Sequence, residues 1–378
     1  MDSWIGRAAA LERLGVRAQT LYAYVSRGWI GARPDPADPR RSLYAAADIE
    51  RLTARRRRGR KAGAIAASAI SWGEPALPTR ISTIDRERLV YRGEDALALS
   101  ERATLEDVAA LLWELPAPPH FAESAPSPGD DGPFAALAAI AQHSLPSLGR
   151  STAQLGADGA AAIARLVTGL GLPPGDAPMH VRLAEHWRLD PLHADLLRRT
   201  MVLMADHELN ASTFAVRVAA STGASIAACL LAGLATLSGP RHGGAAASLA
   251  LLVGQAEQQG AGPALSRWLA SGQALQGFGH VLYPQGDPRG LALLDHVPLD
   301  PLMIALCDAS VEATGRPPNI DFALCAMTRA LALPADAPFI LFALGRSVGW
   351  VAHAIEQVTT GSLIRPRGRY EGELPGIA

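Results

Sequence analysis

The chain has 378 residues, of which 49% are apolar and 5% aromatic, and a formal net charge of −1. That length exceeds what one hydrophobic core usually organises and predicts two or three domains, while a composition dominated by Ala, Leu and Gly favours packed helices over a β-rich fold. Three widely spaced cysteines, Cys229, Cys307 and Cys325, form no CxxC pair, which argues against a disulfide framework or a thiolate metal site and fits a reducing cytoplasm.

Charge is unevenly spread. Residues 1–63 carry fourteen basic and six acidic side chains, a net +8, which leaves −9 on the remainder. A basic head on an acidic body predicts two units with different partners. The first residues, MDSWIGRAAALERLG, place charges inside their only apolar stretch, which is not a signal-peptide pattern. Ile5 to Leu14 is predicted as a first helix, with Ala8, Leu11 and Leu14 on one face and Gly15 as its stop. A second helix runs from Ala18 to Arg27, with Leu21 and Val25 one turn apart and Gly28 as its cap. The turn-rich segment Pro34 to Pro39 separates strand-like pieces around Ile30 and Leu43, and a polar helix follows from Asp48 to Arg58.

The segments GVRAQTLYAYVSRGWI and RRSLYAAADIERL resemble the MerR-type winged helix-turn-helix family over about the first sixty residues. In that family the second helix enters the major groove and the wing contacts phosphates. The resemblance implies that Arg17, Gln19, Thr20 and Tyr22 face DNA and that Arg40 and Arg41 sit on the wing. The same residues are compatible with a module that only packs or dimerises, with RRRRGRK (Arg55 to Lys61) as a solvated linker.

From about Ala62 the texture changes. The short strand-like stretch ISTIDRERLVYRG precedes helical patterns that run to the end, and Pro116 to Pro133 reads as a surface loop. Val218 to Pro240 is free of charges and about long enough to span a bilayer. Ser221, Thr222, Gly223, Ser225 and Gly233 interrupt it, so a buried helix of a helical enzyme is expected there.

Five motifs carry chemistry: DHELNASTF (206–214), SGPRHGG (238–244), GFGHVLYPQGDPRG (277–290), PPNIDFAL (317–324) and LFALGRSVGWVAH (341–353), the last leading into IRPRGRY (364–370). Each sets a His, Asp or Arg beside Gly or Pro, as a turn does when it presents a polar side chain to a cleft. Singly they say little. Asp321 before an apolar helix is compatible with a mere N-cap, and Arg346 with a structural ion pair.

The ordered set is similar to citrate synthase, and the resemblance spans about residues 64 to 378. It implies a mainly α fold in an α-helical homodimer, residues 61–378 forming a large domain and a small one (roughly 244–335) behind a head of residues 1–60. It also implies condensation of acetyl-CoA with oxaloacetate and water to give citrate and CoA. Asp321 would remove the methyl proton, His242 would donate to the thioester oxygen, and His280 would polarise the ketone. Arg289, Arg346 and Arg365 would bind the oxaloacetate carboxylates as bidentate forks, with His207 adding a contact and Arg365 reaching the partner subunit's site. Acyl-CoA enters as substrate, and no metal or other cofactor is expected.

Two departures stand out. The family's HGGANE reads His242-Gly243-Gly244-Ala245-Ala246-Ala247, and a basic residue that helps hold the coenzyme A phosphates is replaced by Pro284, with Arg241 as a compensating candidate. A 2-methylcitrate synthase using propionyl-CoA is a second expectation, since one methylene is worth only about 1–3 kcal/mol of discrimination. A third is a DNA-binding regulator whose synthase body senses metabolites without turnover. Metal binding by His207, His242, His280 and Asp321 lacks the support of HExxH or any close ligand spacing.

Overall fold

A computed structural model describes residues 4–14, 20–21, 24–25, 30–36, 38–50, 77–122, 132–368, 370 and 372. The chain forms two compact units, Met1–Pro78 and Thr79–Ala378. The boundary expected at residue 60 lies outside the described residues, as do Arg17, Gln19, Tyr22 and the basic run Arg55 to Lys61.

In the first unit, three strands pair antiparallel in the order β1 (Trp4–Gly6), β3 (Asp38–Ala45), β2 (Ala32–Asp35). The register sets Trp4 opposite Ala45 and Arg33 opposite Leu43. Helix α1 (Arg7–Leu14) begins two residues later than the sequence pattern predicts, because Ile5 is taken up by pairing with Tyr44. Ala10, Leu14, Leu21, Ile30, Tyr44 and Ile49 close a small core. The expected hairpin is present, and Thr20–Leu21, Tyr24–Val25 and Ala46–Glu50 are helical where described. Arg41 is exposed and pairs with Asp38, while Arg40 lies on β3.

The second unit opens on a hairpin of β4 (Ser82–Asp85) and β5 (Arg88–Tyr91), to which β6 (Glu94–Asp95) adds. Arg86 and Glu87 both have positive φ, the geometry of a two-residue turn that matches strand twist. Helices follow as far as Thr360: α2 (Ala96–Ser100), α3 (Leu105–Trp113), α4 (Pro133–His143), α5 (Thr152–Gly169), α6 (Met179–His186), α7 (Pro191–Met204), α8 (Ala211–Ser221) and α9 (Ile226–Leu237). Then come α10 (Ala245–Gln259), α11 (Ala261–Ala270), α12 (Pro288–Leu294), α13 (Pro301–Thr314), α14 (Ile320–Ala330) and α15 (Ala337–Thr360). Several starts are set by side-chain caps: Asp190 accepts from His193 N, Asn210 from Ser212 N and Thr213 N, and Asp300 from Met303 N.

Helix α15 is the axis of this unit, packed against α3, α5, α7, α8 and α9. It is long and apolar enough to cross a membrane by length and composition, but 94% of its apolar window is buried inside the protein, which makes it a core helix. The charge-free run Val218 to Pro240 is not one helix as expected. It breaks at Gly223, whose φ of +82° ends α8 before Ser225 caps α9; the polar residues there satisfy two helix ends instead of being buried in one.

Candidate active site

The site is assembled from three chain turns and three helices, α12, α14 and α15. The first turn follows α7. Its His207 is buried, and Nε2 lies 3.0 Å from the Tyr283 hydroxyl. Glu208 holds φ at +51°, and its carboxylate accepts from Ile84 N at 2.9 Å, so the β4–β5 hairpin braces the turn.

The second turn carries His280 and Tyr283. The rings of His207 and His280 meet edge to face at 5.1 Å, and His280 lies 5.0 Å from Tyr283. Leu282 N donates to His280 Nδ1 at 3.2 Å, which leaves the proton of a neutral imidazole on Nε2. Seven residues on from His280, Asp287 caps α12 and grips Arg289 bidentately, Nε at 2.9 Å and Nη2 at 2.7 Å, with both side chains buried. Burial opposes charge on Arg289, but Asp287 outweighs it and raises the guanidinium pKa. Asp287 also accepts from Ile320 N at 3.2 Å, tying α12 to the start of α14. Gly290 makes that approach possible: a Cβ there would stand 2.6 Å from the Asn319 carbonyl carbon.

Asp321 is the second residue of α14, not its cap. Asn319 is the cap, and its Oδ1 accepts from Asp321 N at 3.0 Å. Asp321 is partly exposed as a residue, yet protein surrounds its carboxyl closely. Burial therefore pushes its pKa up to about 6; Arg289 opposes the rise and Asp287 adds to it.

The third turn presents His242, held from behind by Ser212 Oγ at 2.8 Å from Nε2. Trp350 Nε1 donates to the same hydroxyl at 3.2 Å. Ser212 Oγ is also 2.8 Å from Asn210 Oδ1, which takes two backbone N–H bonds as well; in the His242 tautomer to which Ser212 donates at Nε2, Nδ1–H is the free donor. Burial, then Arg346, lowers the His242 pKa to about 4. His207 and His280 are lowered by burial and then by Arg289. The lowered pKa values favour the neutral imidazole at all three positions near neutral pH, each with one ring N–H to donate.

Arg346 projects from α15, buried, with Nε donating to Met204 O at 2.9 Å and its carbon centre 5.0 Å from the Phe342 ring. Phe342 also meets the His242 ring at 5.4 Å. Burial lowers the Arg346 pKa to about 10; Asp206 opposes that shift and Arg289 adds to it.

The structure thus brings His207, His242, His280, Arg289, Asp321 and Arg346 together. Arg365 is apart, exposed on the segment after α15, with no hydrogen bond or ion pair among the described residues. Arg241 and Pro284 are both exposed. Sequence reasoning missed Ser212, Tyr283, Asp287, Phe342 and Trp350, although all five stand inside the motifs it singled out. A cavity of about 590 Å³ behind the hairpin, lined by Arg80, Ser82, Arg92 and Glu114 among others, contains none of the candidate residues. Among the described residues, no group of three or more His, Cys, Asp or Glu is placed to hold a metal ion.

Two buried guanidiniums, three imidazoles and one carboxylate of raised pKa supply the groups needed to bind a small dianion and to move a proton to or from carbon. The comparisons with known proteins agree with that class. The family model described as citrate synthase, C-terminal domain, matches residues 149–367. Citrate synthase 2 of Bacillus subtilis is 30% identical over 352 residues, covering 79% of this chain and 94% of that protein. The citrate synthase of Haloferax volcanii is 34% identical over 194 residues, 48% of this chain and 51% of that protein. Among solved structures, the ternary complex of carboxymethyl coenzyme A and oxaloacetate with the citrate synthase of Thermoplasma acidophilum shares the fold, with a TM-score of 0.65 at 23% identity over 82% of this chain and 97% of that one. The chain belongs to the citrate synthase family, a family of transferase-type enzymes.

Proposed function

We propose that the chain is a working citrate synthase, condensing acetyl-CoA with oxaloacetate and water to give citrate and CoA. The observation that carries this reading is Asp321, a carboxyl with its pKa pushed up to about 6 by burial, set among neutral donors and buried arginines. A base of that strength takes a proton from the thioester methyl only if the enol oxygen is stabilised at once. His242 Nδ1–H serves that oxygen. The enol carbon attacks the oxaloacetate ketone, polarised by His280 Nε2–H, while Arg289, Arg346 and His207 hold the carboxylates. Water then cleaves the thioester and releases the CoA thiol.

Thiol release measured with oxaloacetate and either acetyl- or propionyl-CoA tests the reading. Faster turnover with acetyl-CoA is expected; preference for propionyl-CoA would assign a 2-methylcitrate synthase, and no release with either would reduce the body to a sensor. No metal or further cofactor takes part in this scheme.

Residues 244–335 are read as the small domain that closes over the substrates, supported by α10, α11, α13 and α14 packing on one another. The functional unit is read as a homodimer with Arg365 reaching the partner's site. Leu145, Leu148 and Phe214 support it by leaving apolar surface exposed around α4, α8 and α9. A cytoplasmic location fits three free thiols.

For residues 1–60 the reading is a MerR-type winged helix-turn-helix head, supported by its three-stranded sheet, its helical segments and its positive charge. Retention on DNA at low salt does not discriminate, since any polyanion is attracted. DNA reading requires binding that persists near physiological salt and that Gln19→Ala with Tyr22→Ala weakens more for a preferred sequence than for others. Loss of dimerisation on deleting residues 1–60, with no preferred sequence recovered, would instead make the head a packing module.

A further inference from the structure

The carboxylate beside His207 is used by no step above, yet it is the most enclosed acid at the site. Asp206 is wholly buried. Its Oδ2 accepts from the Ser82 hydroxyl and lies 3.2 Å from His353 Nε2 on α15. The same Ser82 oxygen accepts from Glu208 N at 3.1 Å. One hydroxyl on β4 therefore bonds both neighbours of His207. Oδ1 of Asp206 has no hydrogen-bond partner among the described residues and faces α15 at Gly349, where a Cβ would stand 2.5 Å away. Gly349 N donates to Ala205 O at 3.1 Å, and Arg346 Nε to Met204 O at 2.9 Å. Tyr91 completes the frame: its hydroxyl contacts Val202 O, Leu203 O and Asp206 N, each within 3.2 Å.

We propose that Asp206 and Ser82 are positioning residues of the substrate site, fixing the Met204–Glu208 turn on α15 so that His207 and Arg346 meet the dicarboxylate in one geometry. The inference rests on the proposed function, since it names oxaloacetate as the ligand whose binding is set. The electrostatics agree. Burial acts to raise the Asp206 pKa, but His353, Arg346 and the Ser82 hydrogen bond outweigh it and hold the carboxyl ionised. Asp206 in turn works against the loss of charge that burial imposes on Arg346. Removing one member of a buried charged pair leaves its partner uncompensated and is strongly destabilising, so the milder Ser82 variants carry the test.

The test compares Ser82→Ala, Ser82→Thr and Asp206→Asn in the full chain, by calorimetric titration with oxaloacetate, KM for each substrate, and thermal unfolding. Ser82→Ala is expected to weaken oxaloacetate binding about ten-fold, the loss of one hydrogen bond to a charged group, with the acyl-CoA KM unmoved. Ser82→Thr keeps the hydroxyl and restores binding. Asp206→Asn shows a larger loss confined to oxaloacetate; where that variant fails to fold, the two Ser82 variants decide. Wild-type oxaloacetate affinity in Ser82→Ala, or equal loss for both substrates with a lowered Tm, would overturn the inference and leave a structural hydrogen bond. If the unaltered chain does not bind oxaloacetate, the proposed function itself falls.

Discussion

Replacing Asp321 by Asn separates what this carboxyl does in the reaction from what it costs the fold. The amide keeps the shape of the protonated acid and cannot ionise. In the fold the pKa stands at about 6 against an ordinary 3.8, and each pH unit corresponds to about 1.4 kcal/mol. Ionised Asp321 therefore costs at most about 3 kcal/mol, and less to the extent that cleft water screens it. The sign follows from linkage. The folded pKa is raised, so the penalty is absent below 3.8, grows as pH climbs through about 6, and is constant above. Asp321→Asn should thus match its parent in acid and exceed it above neutrality, measured by urea unfolding across pH. Turnover should fall by about 10²–10⁴, the usual share of a general base, with oxaloacetate binding little changed. A variant no more stable than its parent above neutrality, or one that retains turnover, would refute the reasoning.

Other outcomes follow from the same geometry. The kcat/KM profile of the unaltered enzyme should lose activity as pH falls through about 6, where Asp321 takes up its proton; a flat acid limb would deny it the role of base. Arg346→Leu should raise the oxaloacetate KM by about ten-fold or more, with the acyl-CoA KM unmoved. Co-expressed Asp321→Asn and Arg365→Leu chains should regain activity that neither has alone, because one mixed site keeps both residues; no recovery would place Arg365 outside the partner's site. Pro284→Lys should lower the acyl-CoA KM and make it more salt-dependent, and an unchanged KM would mean the phosphates lie elsewhere. Gly290→Ala should weaken oxaloacetate binding and stability together, since a Cβ 2.6 Å from the Asn319 carbonyl carbon must push α12 from α14; normal values for both would show that the helices shift freely.

The helical body was legible in the sequence, and so were the motifs: His207, His242 and His280 stand in turns, Arg289 and Asp321 in the first turn of a helix beside Pro288 and Asn319, and Arg346 between two glycines inside α15. His207, His280 and Arg289 lie in polar stretches that no core requires. Ser212, Phe342 and Trp350 were not legible: a small hydroxyl and two aromatics on apolar helices look the same whether they pack a core or back a histidine. Asp287 reads as a helix cap, which it is, and its grip on Arg289 is visible only in three dimensions. The break at Gly223 was missed for a related reason, since Ser and Thr inside an apolar run signal either a tolerated polar residue or a helix end. Arg365 was assigned through resemblance alone, and one chain does not bring it to the site.

The buried guanidiniums of Arg289 and Arg346 have a consequence for the life of the molecule. Arg289 is paired with Asp287, whereas Arg346 donates to a backbone carbonyl and has Asp206 only as a nearby charge, and burial and the repulsion of Arg289 still lower its pKa to about 10. On the proposed function, a bound dianion would relieve that unfavourable field and, by binding only the native state, would stabilise it by about 2.7 kcal/mol at a hundredfold excess over Kd. Without that ligand the same chain would spend more time open to proteases. Its abundance would then track the supply of its own substrate, with no regulator required.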